Sequence, residues 1–381
     1  MITILLALST FLSPWQQAQT QPSSQPATQV QRVKARRPDK KKSLARCLAQ
    51  ATDWLATQQL EDGRWRSLDR SAADKGNRSL DVGVTGLALL ALLSEGHSPT
   101  RGKHKASVAK AVAWLLEQQD PKTGRLGPAG SVYRAYNHAL ATWALVELLG
   151  VAAEGKQKAQ IQRAILHTQQ RRNPYKAWRY YPRDGDNDSS ITGWMMLGLL
   201  AAERRNLARI KTDKQMALSW YQEVTDPQTG RVGYTKRGQG SSRNEGMQAQ
   251  FPAEETEALT ALSLLVQLRC GKSPDKEPML RLAIERILEQ PPQWAPSEGK
   301  IDLYYWFFGS MALAEAEVRE AKKWNAYLMA ALMRSQSQKG KTKGSWEPVD
   351  AWSTIGGRTY MSALAILSLS AATGKSRLLR R

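Results

Sequence analysis

The residues that could carry chemistry in this chain cluster just ahead of, or within the first turn of, its most apolar stretches. Tyr136 and His138 precede one such stretch. Asp186, Asp188, Ser190 and Trp194 surround the start of another, in WRYYPRDGDNDSSITGW. Glu257 opens a third, Asp302, Tyr305 and Trp306 a fourth, and Arg358 and Tyr360 a fifth, with Tyr133, Asn137, Glu255 and Tyr304 beside them. A carboxyl, an imidazole and phenols can move protons, and indole and phenol rings can face a cation. Carboxylates at helix N-termini also stabilise the helix unaided, and Asp188 or Ser189 is well placed to cap a helix starting near Ser190. The four histidines are scattered, and neither Cys47 nor Cys270 belongs to a CxxC pair. No metal-ligand spacing such as HExxH occurs, so neither a metal nor another cofactor is expected.

Positioning these residues is the work of a repeat. The stretch WLATQQLEDGRW (Trp54 to Trp65) recurs as WLLEQQDPKTGRLG (Trp114 to Gly127) and WYQEVTDPQTGRVG (Trp220 to Gly233). Around these copies two kinds of helix alternate. Segments 84–93, 139–149, 193–202, 256–268, 305–315 and 360–371 are apolar nearly all round and require burial on every side. Segments 43–59, 107–119, 158–170, 214–224, 278–289 and 320–335 are amphipathic and want one face in water. Six of each, at about 55 residues per pair, predict an all-α (α/α)6 toroid, an inner ring of six helices within an outer ring of six. Turns with Asp and Gly at Asp62-Gly63, Asp120 to Gly124 and Asp226 to Gly230 end the amphipathic helices. They place the repeated Gln and Trp as clamps between neighbouring pairs.

Composition adds boundaries. The net charge is +21, with 13 Trp against 4 Phe. Up to residue 46, eight Lys and Arg face one acid, Asp39, and residues 372–381 add four bases and no acid. Basic ends of this kind suit an anionic surface or an acidic glycan, or serve as solvated tails. No sequence-reading nucleic-acid motif accompanies them. The apolar start, MITILLALSTFLSP, has signal-peptide length and is too short to span a bilayer, so export to the periplasm or beyond is expected, with a possible uncleaved N-terminal anchor. The expected organisation is a leader at 1–20, a disordered basic linker at 21–42, the toroid at 43–371 and a basic tail at 372–381.

Here the sequence resembles the prenyltransferase and squalene-oxidase repeat superfamily, the toroids that include terpene cyclases and protein prenyltransferases. Its single-toroid, exported bacterial members are the most similar. The cyclase QW motif is met by Trp54, Leu55, Gln59, Gly63 and Trp65, and in part by Gln338, Gly344 and Trp346. The resemblance implies an acid at the start of an inner helix, in a D-x-D-D-T-A motif. Aligned on Leu197, Gly198 and Leu199, Asp188 matches the first Asp and Ser190 stands where the catalytic acid belongs. Ser cannot protonate an alkene. The prenyltransferase zinc ligands are also missing, with Tyr305 in the place of the His.

The leading expectation is therefore a non-catalytic toroid that binds a hydrophobic or isoprenoid molecule in its central cavity, or a partner on its rim. The alternatives are an atypical isoprenoid cyclase using Asp186 or Asp188, with Trp194, Tyr305 and Trp306 facing cations, and a lyase-like enzyme on an acidic glycan using Tyr136, His138 and Arg358.

Overall fold

The computed structural model describes residues 44–67, 79–149, 155–181, 183, 185–243, 246–374 and 376–379. The leader, the linker and Lys375, Arg380 and Arg381 of the basic tail lie outside these residues.

Six inner helices are α2 (Asp81–Ser94), α4 (Arg134–Leu149), α6 (Ser189–Arg204), α8 (Ala258–Arg269), α10 (Leu303–Glu315) and α12 (Ser353–Ala372). Six outer helices are α1 (Leu44–Thr57), α3 (Lys105–Glu117), α5 (Lys156–Arg171), α7 (Lys211–Val224), α9 (Pro278–Glu289) and α11 (Ala321–Ser335). The hydropathy reading holds element by element. Every residue of α2 after Asp81 is buried, whereas α9 buries only Leu280, Ala283, Ile284 and Ile287, at helical spacing. Several inner helices begin a few residues earlier than their apolar runs, because their first turns carry the polar residues of the candidate site.

The inner helices pack in order, α2 on α4, α4 on α6, α6 on α8, α8 on α10 and α10 on α12, and α12 returns to α2. The outer helices sit over the seams, α1 against α12 and α2, and α5 against α4 and α6. The result is a closed all-α toroid. Small residues permit the close inner packing: a side chain on Gly86 would meet the α4 backbone at Ala141 within 2.9 Å. Among the described residues no helix is long and apolar enough to cross a membrane.

The Gln and Gly of the repeat are the clamp. Gln59 Nε2 donates to Gly63 O within its own turn and to Ser107 O at the start of α3, both at 2.8 Å. Gln119 does the same to Gly124 O (3.2 Å) and Gln160 O of α5 (2.8 Å). The ring closes on α1 through Gln336, which donates to Gly344 O (2.8 Å) and Cys47 O (2.9 Å). The expected clamp was Gln338, but that side chain donates only to Gln336 O. The longer turn after α11 leaves room for Gln336 to take the role two residues earlier. The Trp indoles tie each turn to its own outer helix, Trp65 Nε1 to Leu55 O (2.7 Å) and Trp346 Nε1 to Leu332 O (2.8 Å).

Gly344 has φ +97° and presses on α1, where a Cβ would lie 2.3 Å from Gln50 O. Gly271 has a similar φ of +92° but open space around it. Gly344→Ala is expected to lower stability in urea by about 3 kcal/mol or more, against about 1 kcal/mol for Gly271→Ala. Equal losses would show that the glycine contact is not what seats α1.

Candidate functional site

One local device sets the register of the inner helices. A side chain in the N-terminal half of the helix accepts a backbone N–H from the loop arriving off the preceding outer helix. Thr85 accepts from Trp65 (3.0 Å), His138 Nδ1 from Leu126 (3.1 Å) and Thr192 from Trp178 (3.2 Å). Thr260 accepts from Val232 (3.2 Å) and Ser362 from Trp346 (3.4 Å). His138 thus occupies a position that is Thr or Ser in the other repeats that use it. Four residues earlier stand Asp81, Arg134, Asp188, Thr256 and Arg358, and Asp302 heads α10 as Asp188 heads α6. Both aspartates are N-caps: Asp188 Oδ1 accepts from Ile191 N (2.6 Å) and Asp302 Oδ1 from Tyr305 N (3.0 Å).

Two residues beyond these positions, the chain carries Tyr136, Ser190, Tyr304 and Tyr360, and all four line one cavity of about 380 Å³. Leu87, Leu140 and Trp194 extend the wall one helical turn deeper. The connecting loops complete it with Tyr180, Tyr181, Tyr234, Ser241, Ser242 and Trp352. Its polar groups are hydroxyls and two indoles; among the described residues no Asp, Glu, Lys, Arg or His lines it. Ser190 Oγ lies 3.1 Å from Tyr136 Oη and 2.9 Å from Tyr304 Oη. Tyr180 Oη and Tyr234 Oη are 2.7 Å apart.

Behind this wall lies Asp188, fully buried. Burial pushes its carboxyl up to about 7, against the bond from Ile191 N and the charge of Arg179, which favour ionisation. Tyr234 Oη is 3.5 Å from Asp188 Oδ2, so one phenol separates the carboxyl from the cavity. Burial also drives the Tyr136, Tyr234 and Tyr304 phenols above their usual range, keeping them neutral. A second buried carboxyl, Asp350, is pushed up to about 7 by burial and then by neighbouring Asp302. It accepts from Leu303 N (3.2 Å), Trp352 N (3.0 Å) and Ser353 Oγ (2.6 Å) and so fixes the approach of Trp352 to the cavity.

The structure brings together Tyr136, Ser190, Trp194 and Tyr360, with Asp188 one hydroxyl behind. It takes the other candidates elsewhere. Asp186 is exposed and pairs with Arg179. His138 is sealed between the Leu126 N–H and Thr168, and burial holds its pKa well below the usual range. Glu257 pairs with Arg286 and Arg231 and accepts from Thr260. Asp302 accepts from Thr256 (3.0 Å) and pairs with Arg243. Tyr305 donates to Ile287 O and Gln290 O, and Trp306 packs near Trp294. Arg358 binds Ser345, Trp346 O and Glu347. Tyr136, His138 and Arg358 therefore do not form one constellation. Tyr180, Tyr181, Tyr234, Ser241, Ser242 and Trp352 escaped the sequence reading because they sit in irregular loops. One signal was present: Tyr180 and Tyr234 are 54 residues apart, as are Tyr136 and Ser190.

No protein-family model matches the sequence, and no curated protein matches it. Solved structures do match in fold. The type II terpene cyclase MstE from Scytonema is 13% identical, covers 87% of this chain and 98% of its own, and superposes with a TM-score of 0.61. A variant of that cyclase in complex with its substrate, geranylgeranyl dihydroxybenzoate, gives 0.57 at 14% identity, with 87% and 97% covered. The alpha-1,6-mannanase from Salegentibacter sp. gives 0.59 at 9% identity, with 88% and 100% covered. The chain thus has the all-α toroid fold of the type II terpene cyclases, a fold that glycan-active enzymes share.

The raised carboxyl of Asp188 has a consequence for stability. Its folded value of about 7 lies above the ordinary value near 4, so the folded state binds the extra proton between those limits. That contribution is complete below about pH 4 and is lost as pH rises through 7, at no more than about 1.4 kcal/mol per pH unit. Asp188→Asn keeps a capping side chain and removes the titration. Its urea midpoint should fall less than that of the wild type between pH 5 and 8; parallel curves would refute a buried proton here.

Proposed function

We propose that the chain encloses an isoprenoid-type molecule in the central cavity and acts on it as an atypical cyclase, with Asp188 as the proton source. The observation that carries this reading is an uncharged aromatic wall with a buried, proton-holding carboxyl one phenol behind it. Glycoside hydrolysis needs two carboxylates flanking the scissile bond. None of the described lining residues is a carboxylate, so the cavity chemistry favours a hydrocarbon over a sugar. Trp194, Tyr304, Trp352 and Tyr360 supply π faces for a carbocation. Tyr305 and Trp306 are occupied elsewhere and are not part of this set.

Ser190 holds the place that the acid takes in the cyclases the sequence resembles, so the proton must come from outside that position. This residue also favours a second reading, binding without turnover. The apolar start and basic stretch fit an exported protein held near an anionic surface.

The test is incubation with C15 and C20 polyprenyl alcohols, with products followed by gas chromatography and mass spectrometry. Cyclised products are expected, and Asp188→Asn should lower turnover by about 100-fold or more with binding retained. Undiminished turnover in that variant would remove Asp188 from the chemistry. Binding with no turnover in the wild type would favour the second reading.

A further inference from the structure

Five of the cavity hydroxyls line up from Asp188 into one chain. From the buried carboxyl it runs Asp188 Oδ2 to Tyr234 Oη (3.5 Å), to Tyr180 Oη (2.7 Å), across to Tyr136, whose ring lies 6.1 Å from that of Tyr180, to Ser190 Oγ (3.1 Å), and to Tyr304 Oη (2.9 Å). Trp194 packs on the Tyr304 ring at the far end, with centroids 5.7 Å apart. Each hydroxyl has one proton to donate, so the polarity of such a chain is decided at its end. With Asp188 protonated, the carboxyl donates to Tyr234 and each O–H passes the direction on. Tyr304 then keeps a free O–H. With Asp188 ionised, every donor turns toward the carboxylate, and Tyr304 spends its proton on Ser190.

We propose that this chain is a proton relay from Asp188 to Tyr304, and that it seats the uncharged oxygen function of an isoprenoid ligand against Tyr304 and Ser190. The inference rests on the reading of the cavity as an isoprenoid site and names the ligand class within it: an alcohol, ether, epoxide or ketone, in preference to a bare hydrocarbon or a diphosphate. Two observations select that class. The lining has many hydroxyls but, among the described residues, no cation to neutralise a phosphate. A carboxyl that keeps its proton to near neutrality is too weak an acid to suit a plain alkene, and oxygen is the more basic acceptor.

In a protonation step the Tyr304 O–H bond breaks as a new O–H bond forms on the ligand oxygen. Each hydroxyl toward Asp188 is refilled by its neighbour, and the carboxyl becomes carboxylate. The C–O bond then breaks, releasing water or methanol from an alcohol or ether and leaving a hydroxyl on an opened epoxide, while a ketone becomes the cation by protonation alone; the cation finally gives up a proton, which returns along the chain to the carboxylate. The groups facing Asp188 leave it as the titrating member. Arg179 on its own loop is the charged one, already paired with Asp186; the others are Tyr136 of α4, Tyr221 of α7, Tyr304 of α10 and the loop phenols Tyr180 and Tyr234. Burial raises the pKa of each of these five phenols.

The experiment needs only binding, read by quenching of Trp fluorescence. Four probes with one C20 skeleton are compared: geranylgeraniol, its methyl ether, the matching hydrocarbon and the diphosphate. The alcohol is expected to bind about tenfold tighter than the hydrocarbon and the diphosphate. Ser190→Ala and Tyr304→Phe should erase that preference while leaving hydrocarbon affinity intact, which also shows that they fold; Ser190→Thr should restore it. The methyl ether can only accept, so it should bind about tenfold weaker at pH 9 than at pH 6, whereas the alcohol changes little. Tyr234→Phe breaks the chain next to Asp188 and should remove the ether's pH dependence. Equal affinity for alcohol and hydrocarbon, or tightest binding of the diphosphate, would overturn the head-group assignment and leave the isoprenoid site standing. An ether affinity that does not vary with pH in the wild type would overturn the relay. Failure of all four probes would remove the isoprenoid reading itself, and this inference with it.

Discussion

The structure depends on one closure: Gln336 reaching across to Cys47 O while Gly344 lies flat against Gln50. The inner helices have almost no polar face, so none of them can end the array against water. An open stack would expose a flank of α2 and of α12. Joining the last turn to the first outer helix buries both flanks and turns a linear repeat into a ring. The same Gln and Gly pair works at Gln59 with Gly63 and at Gln119 with Gly124. Closure is therefore the repeat's ordinary contact made once more, between the two ends of the toroid.

Closure also makes the site. Six inner helices held in one register bring equivalent positions to a common axis, and the position two residues after the helix-start residue becomes a band around the cavity. It carries Tyr136, Ser190, Tyr304 and Tyr360. The charged groups at the helix starts are drawn instead into pairs between neighbouring repeats, Glu257 with Arg286 and Asp302 with Arg243. That segregation leaves a cavity of rings and hydroxyls, with Asp188 kept dry behind it. Its charged form is costly there, and the cost is what keeps a proton available near neutral pH.

The twelve helices were legible because burial on all sides and burial on one side leave different hydropathy patterns, and these alternate without interruption from α1 to α12. Helix starts were less legible, since the polar residues of the first inner turns hide the helical period. The clamp was misplaced at Gln338, where a longer turn breaks the spacing that identifies Gln59 and Gln119, and at the Asp226 to Gly230 turn Thr225 stands in place of the Gln and bonds only Tyr221 O of its own helix. The candidate residues were chosen by chemical type near helix starts, and type does not say which way a side chain points. Glu257, Tyr305 and Arg358 have suitable chemistry, but Glu257 points into the seam with the next repeat and Tyr305 and Arg358 bond to the segments just before their own helices. Tyr180, Tyr234 and Trp352 form much of the cavity from irregular loops, where the 54-residue spacing of Tyr180 and Tyr234 is the one periodic signal. Register would have done better than type: counting two residues on from Asp188 and Asp302 gives Ser190 and Tyr304 directly.

The central claim is that a hydrophobic chain lies in the ring with its oxygen at the hydroxyl band. A crystal structure of the protein with geranylgeraniol tests this most directly. The chain is expected between Trp194, Tyr360 and Leu140, with the ligand oxygen within hydrogen-bond distance of Tyr304 Oη or Ser190 Oγ. An empty ring with the ligand bound on the outer surface, or a chain in the cavity with its oxygen turned away to solvent, would contradict it.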